Sequence, residues 1–167
     1  MQSNDRKFLY DTSNLEITRR HLPHWTANHA IYFITFRTVV DELSKEEQIL
    51  VLNLIKEGHN KYYYLYAVVI MPDHVHLILT IKEDYSLSRI MKGIKGKSAR
   101  SINKNRNGKG SIWQDESYDR ILRNEEELFE KLKYMLNNPV KSGLTDDPWN
   151  YHGWYFNDKI GGSDIFV

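Results

Sequence analysis

The sequence contains no cysteine among its 167 residues, which excludes disulfide bonds and thiolate metal sites. It also has no apolar run near the ~20 residues that a membrane-spanning helix needs. The first residues, MQSNDRKFLYDTSN, show no apolar core typical of a secretory signal. From these absences we expect a cytoplasmic protein without a membrane partner.

Net charge is almost absent as well, with 23 Lys and Arg against 22 Asp and Glu. The distribution is uneven, because residues 85–114 carry eight basic residues and no acidic one. These basic residues are Arg89, Lys92, Lys95, Lys97, Arg100, Lys104, Arg106 and Lys109. A charge run usually marks a solvated helix face. The missing acids and the continuation into the glycine-containing loop 105–110 favour a track for nucleic-acid phosphates instead.

Hydrophobic periodicity and turn residues predict a mixed α and β chain. The predicted elements are strand 30–40, helix 44–58, strands 61–70 and 74–81, helix 86–103, strand 117–123 and helix 124–139. Ser44 and Glu47 have capping-box spacing, Asn124 is a suitable N-cap, and Pro139 is expected to end the last helix. The short turn at 71–73 predicts an antiparallel hairpin.

This order of elements is that of the ferredoxin-like split βαβ arrangement, an α+β fold. We therefore expect an antiparallel sheet with the helices on one face. The chain shows no repeat or linker, so residues 1–167 are predicted to form one domain, with a core at about 28–140 and a C-terminal tail at 141–167.

Two histidines, His74 and His76, lie one residue apart in the strand HVHLILTI. Residues two apart share a face of a strand, so Val75, Leu77 and Leu79 should face the helices while both imidazoles point the other way. Neighbouring imidazoles can chelate one divalent ion. Taken alone, an H-x-H pair is more often two polar side chains on a wetter sheet face.

The last predicted helix places Tyr134 and Asn138 one turn apart and roughly opposite its apolar stripe. An exposed tyrosine followed by a helix-ending asparagine explains this pair simply. If the helix lies across the sheet face that carries the histidines, however, all four side chains meet in one site.

These motifs together resemble a known family. HVH resembles an H-U-H metal motif, with an apolar residue between the histidines, and YMLNNPVKSGL resembles the nucleophile helix of single-tyrosine HUH transposases. The segments RRHLPHW, YFITFR, VVIMPDHVHLIL and IWQDESYDRILRNEEEL run in the same order as in the REP-associated tyrosine transposases. The likeness covers about four-fifths of the chain and implies an HUH endonuclease type of fold.

The resemblance implies a role for each matching residue. His74, His76 and Asn138 match the metal site, which would hold Mg²⁺ or Mn²⁺, and Tyr134 matches the nucleophile. Insertion-sequence relatives have glutamine where Asn138 stands, and asparagine is the form of the REP-associated group. The expected activity is cleavage and rejoining of single-stranded or hairpin DNA through a 5′-phosphotyrosine, without ATP.

Several questions remain open from the sequence. Arg19, Arg20 and Trp25 form a second candidate DNA patch, although Trp25 is equally explained as a core anchor. No residue is assigned as general base, and monomer and homodimer are both compatible with the sequence. A non-catalytic nucleic-acid-binding module and a phosphodiesterase that uses water as nucleophile are the alternative functions.

Overall fold

The computed structural model describes residues 30–157. In chain order its elements are β1 (Ile31–Arg37), α1 (Lys45–Glu57), β2 (Tyr63–Ile70), β3 (His74–Ile81), α2 (Leu87–Arg106), β4 (Tyr118–Leu122), α3 (Glu125–Lys141), a 3-10 turn (Pro148–Asn150) and β5 (Trp154–Phe156). No helix among the described residues is long and apolar enough to cross a membrane.

The five strands form one antiparallel sheet in the order β4-β1-β3-β2-β5. The first four strands have the order of the ferredoxin-like arrangement, so the predicted α+β fold is confirmed. The predicted hairpin is also confirmed, since β2 and β3 pair antiparallel across a turn at 71–73. The sequence did not predict β5, which adds a fifth strand beside β2. It carries the core beyond residue 140, because Tyr151 and Trp154 are buried.

Both faces of the sheet are covered, which corrects the expectation of helices on one face. Val75, Leu77 and Leu79 face α1 and α2, as the strand periodicity predicted. Helix α3 packs instead on the opposite face, where Phe33 and Ile78 contact its apolar stripe. Each face of an alternating strand needs its own cover when both carry apolar side chains. The histidine-bearing face is therefore a second core rather than a wet surface.

The helix starts follow the predicted caps. Ser44 and Glu47 form both hydrogen bonds of a capping box at the start of α1. Asn124 caps α3 by accepting a hydrogen bond from the backbone N–H of Glu127.

The prediction that Pro139 ends α3 is wrong, because α3 continues to Lys141. A proline near a helix end removes one backbone donor without stopping the last turn, and the N–H of Ser142 still bonds the carbonyl of Asn138. Asn138 thus lies inside regular helix, one turn after Tyr134. Helix α2 also exceeds its predicted end, reaching Arg106 before Asn107 takes a left-handed conformation at φ 51°.

Candidate active site

The pairing of β1 with β3 fixes the surroundings of the two histidines. Arg37 lies opposite His74, and Thr35 lies opposite His76. The imidazole rings are neighbours, with centroids 4.7 Å apart. His76 is buried, and its ring stacks on Phe33 at 5.4 Å. The expected placement of both rings on one face is confirmed, and packing holds the inner ring in place.

A hydrogen bond at Nδ1 orients each ring. The carboxylate Oδ1 of Asp73 accepts from His74 Nδ1 at 2.6 Å. The hydroxyl Oγ1 of Thr35 lies 2.6 Å from His76 Nδ1. When Nδ1 donates to an oxygen, the lone pair of the neutral imidazole remains at Nε2. In this tautomer each ring presents Nε2 as the nitrogen available to a ligand.

Helix α3 brings Tyr134 and Asn138 next to the two histidines, on the same face of the sheet. The ring centroid of Tyr134 lies 5.3 Å from that of His76. The side-chain amide nitrogen of Asn138 lies 3.4 Å from Nε2 of His74. Tyr134 remains 43% exposed, so its hydroxyl is open to a substrate. The structure thus brings together all four predicted residues, and they come from one chain.

Burial and nearby cations keep the inner histidine neutral. Burial lowers the pKa of His76 to about 3, and the charges of His74, Arg37 and Lys131 act in the same direction. Burial tends to raise the pKa of Asp73, but the hydrogen bond and charge of His74, a backbone hydrogen bond and the charge of Arg37 together lower the pKa below its usual value. Metal ligation requires neutral imidazoles, and a hydrogen bond from the other ring nitrogen to a carboxylate orients such a ligand.

The donor set fits a divalent ion. Nε2 of His76 is buried and has no hydrogen-bond partner, which is costly unless a ligand satisfies it. Residues 30–157 contain no group of three or more His, Asp or Glu arranged for a metal. The candidate donors are the two imidazoles and the amide of Asn138, whose carbonyl oxygen is a suitable third donor. Such a mixed set leaves room for substrate oxygens.

The predicted DNA track divides into two groups. Lys95 donates to the carbonyls of Gln114, Asp115 and Glu116, and Arg106 forms an ion pair with Glu47. The cations of Lys95 and Arg106 are therefore engaged within the protein. The other members of the basic run are exposed, namely Arg89, Lys92, Lys97, Arg100, Lys104 and Lys109. Arg19, Arg20 and Trp25 lie outside the described residues.

Three supporting residues were not identified from the sequence. Asp73 precedes His74 directly, so a carboxylate beside the motif was a visible signal. Thr35 has no such signal, because only strand register places it against His76. Lys131 lies one turn before Tyr134, and its Nζ is 5.5 Å from the Tyr134 ring centroid and 4.7 Å from that of Phe33.

Removal of the Thr35 hydroxyl tests the orienting role. We expect Thr35→Val to weaken Mn²⁺ binding by about 10- to 100-fold, the usual cost of losing such an outer hydrogen bond. Valine keeps the shape, so the fold should survive. Thr80→Val is the matched control, since Thr80 is a threonine of the same sheet whose hydroxyl donates to Tyr66 instead of contacting a histidine. Calorimetric titration with Mn²⁺ measures both, and equal affinities would contradict the role of Thr35.

Residues 27–133 match the family model described as "Transposase IS200 like". A protein of Haemophilus influenzae Rd, provisionally named a REP-associated tyrosine transposase, is 28% identical over 102 residues, 53% of this chain and 57% of the relative. The REP-associated tyrosine transposase of Escherichia coli K12 is 28% identical over 102 residues, 60% of this chain and 59% of the relative. The matches thus span under two thirds of these curated relatives.

One solved structure has the same fold. It is a REP-associated tyrosine transposase bound to a REP hairpin, with a TM-score of 0.62 and 22% sequence identity. The match covers 77% of this chain and 78% of that chain.

Proposed function

This chain belongs to the IS200-like transposase family, and we propose that it is a metal-dependent endonuclease and strand transferase for single-stranded DNA. The observation that carries the proposal is the contact of Tyr134 with His76, beside the buried and unpartnered Nε2 of that histidine. A nucleophile and a cation site lie together there, as phosphodiester transfer requires.

The ion site would be formed by His74, His76 and Asn138. Bound Mg²⁺ or Mn²⁺ would supply Lewis-acid polarisation of the scissile phosphate and neutralise its charge. Asp73 and Thr35 hold the imidazoles in the required orientation. The carbonyl oxygen of Asn138 would supply the harder donor that these ions prefer.

Tyr134 provides the nucleophile. Its phenolic oxygen forms a bond to phosphorus, and the bond from phosphorus to the 3′ oxygen breaks. The products are a 5′-phosphotyrosine and a strand that ends in a 3′-OH, with the phenolic proton balanced by protonation of the leaving oxygen. Because the ester bond is conserved, attack by a 3′-OH reverses the step and joins strands.

A rigid helix positions this tyrosine. Tyr134 and Asn138 lie on the same side of α3, and the buried residues Leu132, Met135 and Leu136 fix that helix on the sheet. A tyrosine held on a packed helix loses little freedom when it reacts. All the proposed catalytic and metal-binding side chains come from one chain, so a second copy is not needed to complete the site.

Hairpin DNA is the proposed substrate. The structural neighbour of the same fold is bound to a REP hairpin, and the exposed cations of α2 suit phosphate binding.

An adduct assay tests the function. The purified chain is incubated with hairpin oligonucleotides taken from the DNA that flanks its gene, in the presence of Mg²⁺ or Mn²⁺. We expect a protein–DNA adduct that resists SDS and disappears with EDTA. Metal-dependent cleavage without an adduct would select the phosphodiesterase that uses water. DNA binding without cleavage, unaffected by EDTA, would select the non-catalytic binding module.

A further inference from the structure

A cavity of about 540 Å³ lies on the sheet face opposite the histidines. It opens between the end of α1 and the first half of α2, and Tyr62, Tyr85 and Gly93 are among its lining residues. Tyr63, which also lines it, pairs with Ile81 at the far end of β3 from His74. His74 and Ile81 are seven residue steps apart along β3, which is a distance of about 23 Å. The cavity is therefore separate from the candidate active site.

Aromatic rings and cations alternate along the cavity wall. The rings of Tyr62 and Tyr85 meet edge to face, with centroids 5.1 Å apart. Arg89 lies over the Tyr85 ring at 5.5 Å, and Lys97 lies over the Tyr62 ring at 5.8 Å. Rings stack on nucleobases and cations bind phosphates, so this combination is typical of sites for unpaired nucleotides.

The charge of the lining suits an anion. Lys61, Arg89 and Lys97 contribute three cations to the wall, against the single carboxylate of Glu57. Glycine is a poor helix former, yet Gly93 stands in the middle of α2 and lines the cavity. A Cβ atom there would meet nothing within 4 Å. The glycine therefore leaves open space that a side chain would fill.

The cations of α2 extend this site along the helix. At about 100° per residue, Arg89, Gly93, Lys97, Arg100 and Lys104 fall within an arc of about 80°. The two cations engaged within the protein, Lys95 and Arg106, fall on a different side. A basic stripe thus runs from the cavity along one side of α2, where its cations can bind nucleic-acid phosphates.

We propose that the cavity binds an unpaired nucleotide of the DNA, with the base against Tyr62 and Tyr85 and the phosphates at Arg89 and Lys97. This inference rests on the proposed action on DNA and adds a second contact point, remote from the cut. A single strand anchored there would be held while another part of the DNA lies at Tyr134.

Filling the cavity tests the inference without removing a charge. We expect Gly93→Leu to weaken binding of a fluorescent eight-residue oligothymidylate by about tenfold, the loss of one stacked base. Gly96→Leu is the matched control: Gly96 lies in the same helix, a Cβ there also meets nothing within 4 Å, and it does not line the cavity. Gly96→Leu should bind within about twofold of the wild type. Fluorescence anisotropy measures all three, and equal affinities would overturn the inference.

A second variant tests the stacking role directly. Tyr62 is 36% exposed, so Tyr62→Ala should fold and should also bind the oligothymidylate about tenfold less tightly. An unchanged affinity of Tyr62→Ala for the oligothymidylate would overturn nucleotide binding. So would displacement of the labelled oligothymidylate by inorganic phosphate as effectively as by unlabelled oligothymidylate at the same phosphate concentration. A different experiment tests the proposed function: it is refuted if the wild-type protein forms no covalent adduct with hairpin DNA. If the wild-type protein forms the adduct and the two glycine variants bind oligothymidylate with equal affinity, nucleotide binding in the cavity is refuted and the proposed function is not.

Discussion

Tyr134→Phe is expected to abolish the covalent adduct, with strand cleavage lowered by at least about 10⁴-fold, a loss of the order seen when a nucleophile is removed. The substitution removes one oxygen, and the ring keeps its contact with His76. Because Tyr134 is 43% exposed, its hydroxyl does not support the core. Metal binding and hairpin affinity should therefore stay within about twofold of the wild type. SDS gels, Mn²⁺ titration and hairpin binding measure these three properties.

Tyr118→Phe is the matched control. Tyr118 is also exposed, at 60%, but it lies in β4 and no polar residue follows it one helical turn later. This variant should form the adduct at the wild-type rate. Mass spectrometry of a trapped adduct should place the nucleotide on a peptide that contains Tyr134. A nucleotide on any other tyrosine would refute the assignment.

His74→Ala is expected to weaken Mn²⁺ binding by more than about 100-fold and to abolish adduct formation. Loss of a residue that hydrogen-bonds a metal ligand already lowers metal affinity about 10- to 100-fold, and His74→Ala removes a proposed ligand itself. His74 is the better target, because His76 is buried against Phe33 and its removal would leave a core cavity. The fold should survive with a loss of about 1–2 kcal/mol in the free energy of unfolding.

His59→Gln provides the control for this loss. His59 is half-buried at the other end of the sheet and accepts a hydrogen bond from the backbone N–H of Leu65. Its replacement should alter stability but not Mn²⁺ affinity. Thermal unfolding by circular dichroism, run beside the titration, separates the two effects. Unchanged Mn²⁺ affinity in folded His74→Ala would show that the histidine pair is structural.

Local patterns were sufficient for much of this protein. At Ser44 and Asn124 the capping side chain accepts a hydrogen bond from the backbone N–H three residues later, so the local sequence determines both caps. The alternation in β3 and the stripe on α3 follow from backbone geometry alone. The same geometry indicated that His74 and His76 share one face and that Tyr134 and Asn138 share another. The prediction at Pro139 was wrong because a proline near the helix end removes one backbone donor without stopping the last turn.

Only the tertiary structure decided how those faces meet. Whether α3 covers the histidine face depends on contacts with Phe33 and Ile78, distant in sequence. The register that sets Thr35 against His76 depends on pairing between β1 and β3, 41 residues apart. Burial then lowers the pKa of His76 and leaves its Nε2 without a partner. The sequence thus determined which chemical groups are present and which of them share a face of a strand or helix. Long-range packing determined the distances between these groups and their burial. Those two properties arise between segments that are distant in the chain, and no local pattern relates such segments.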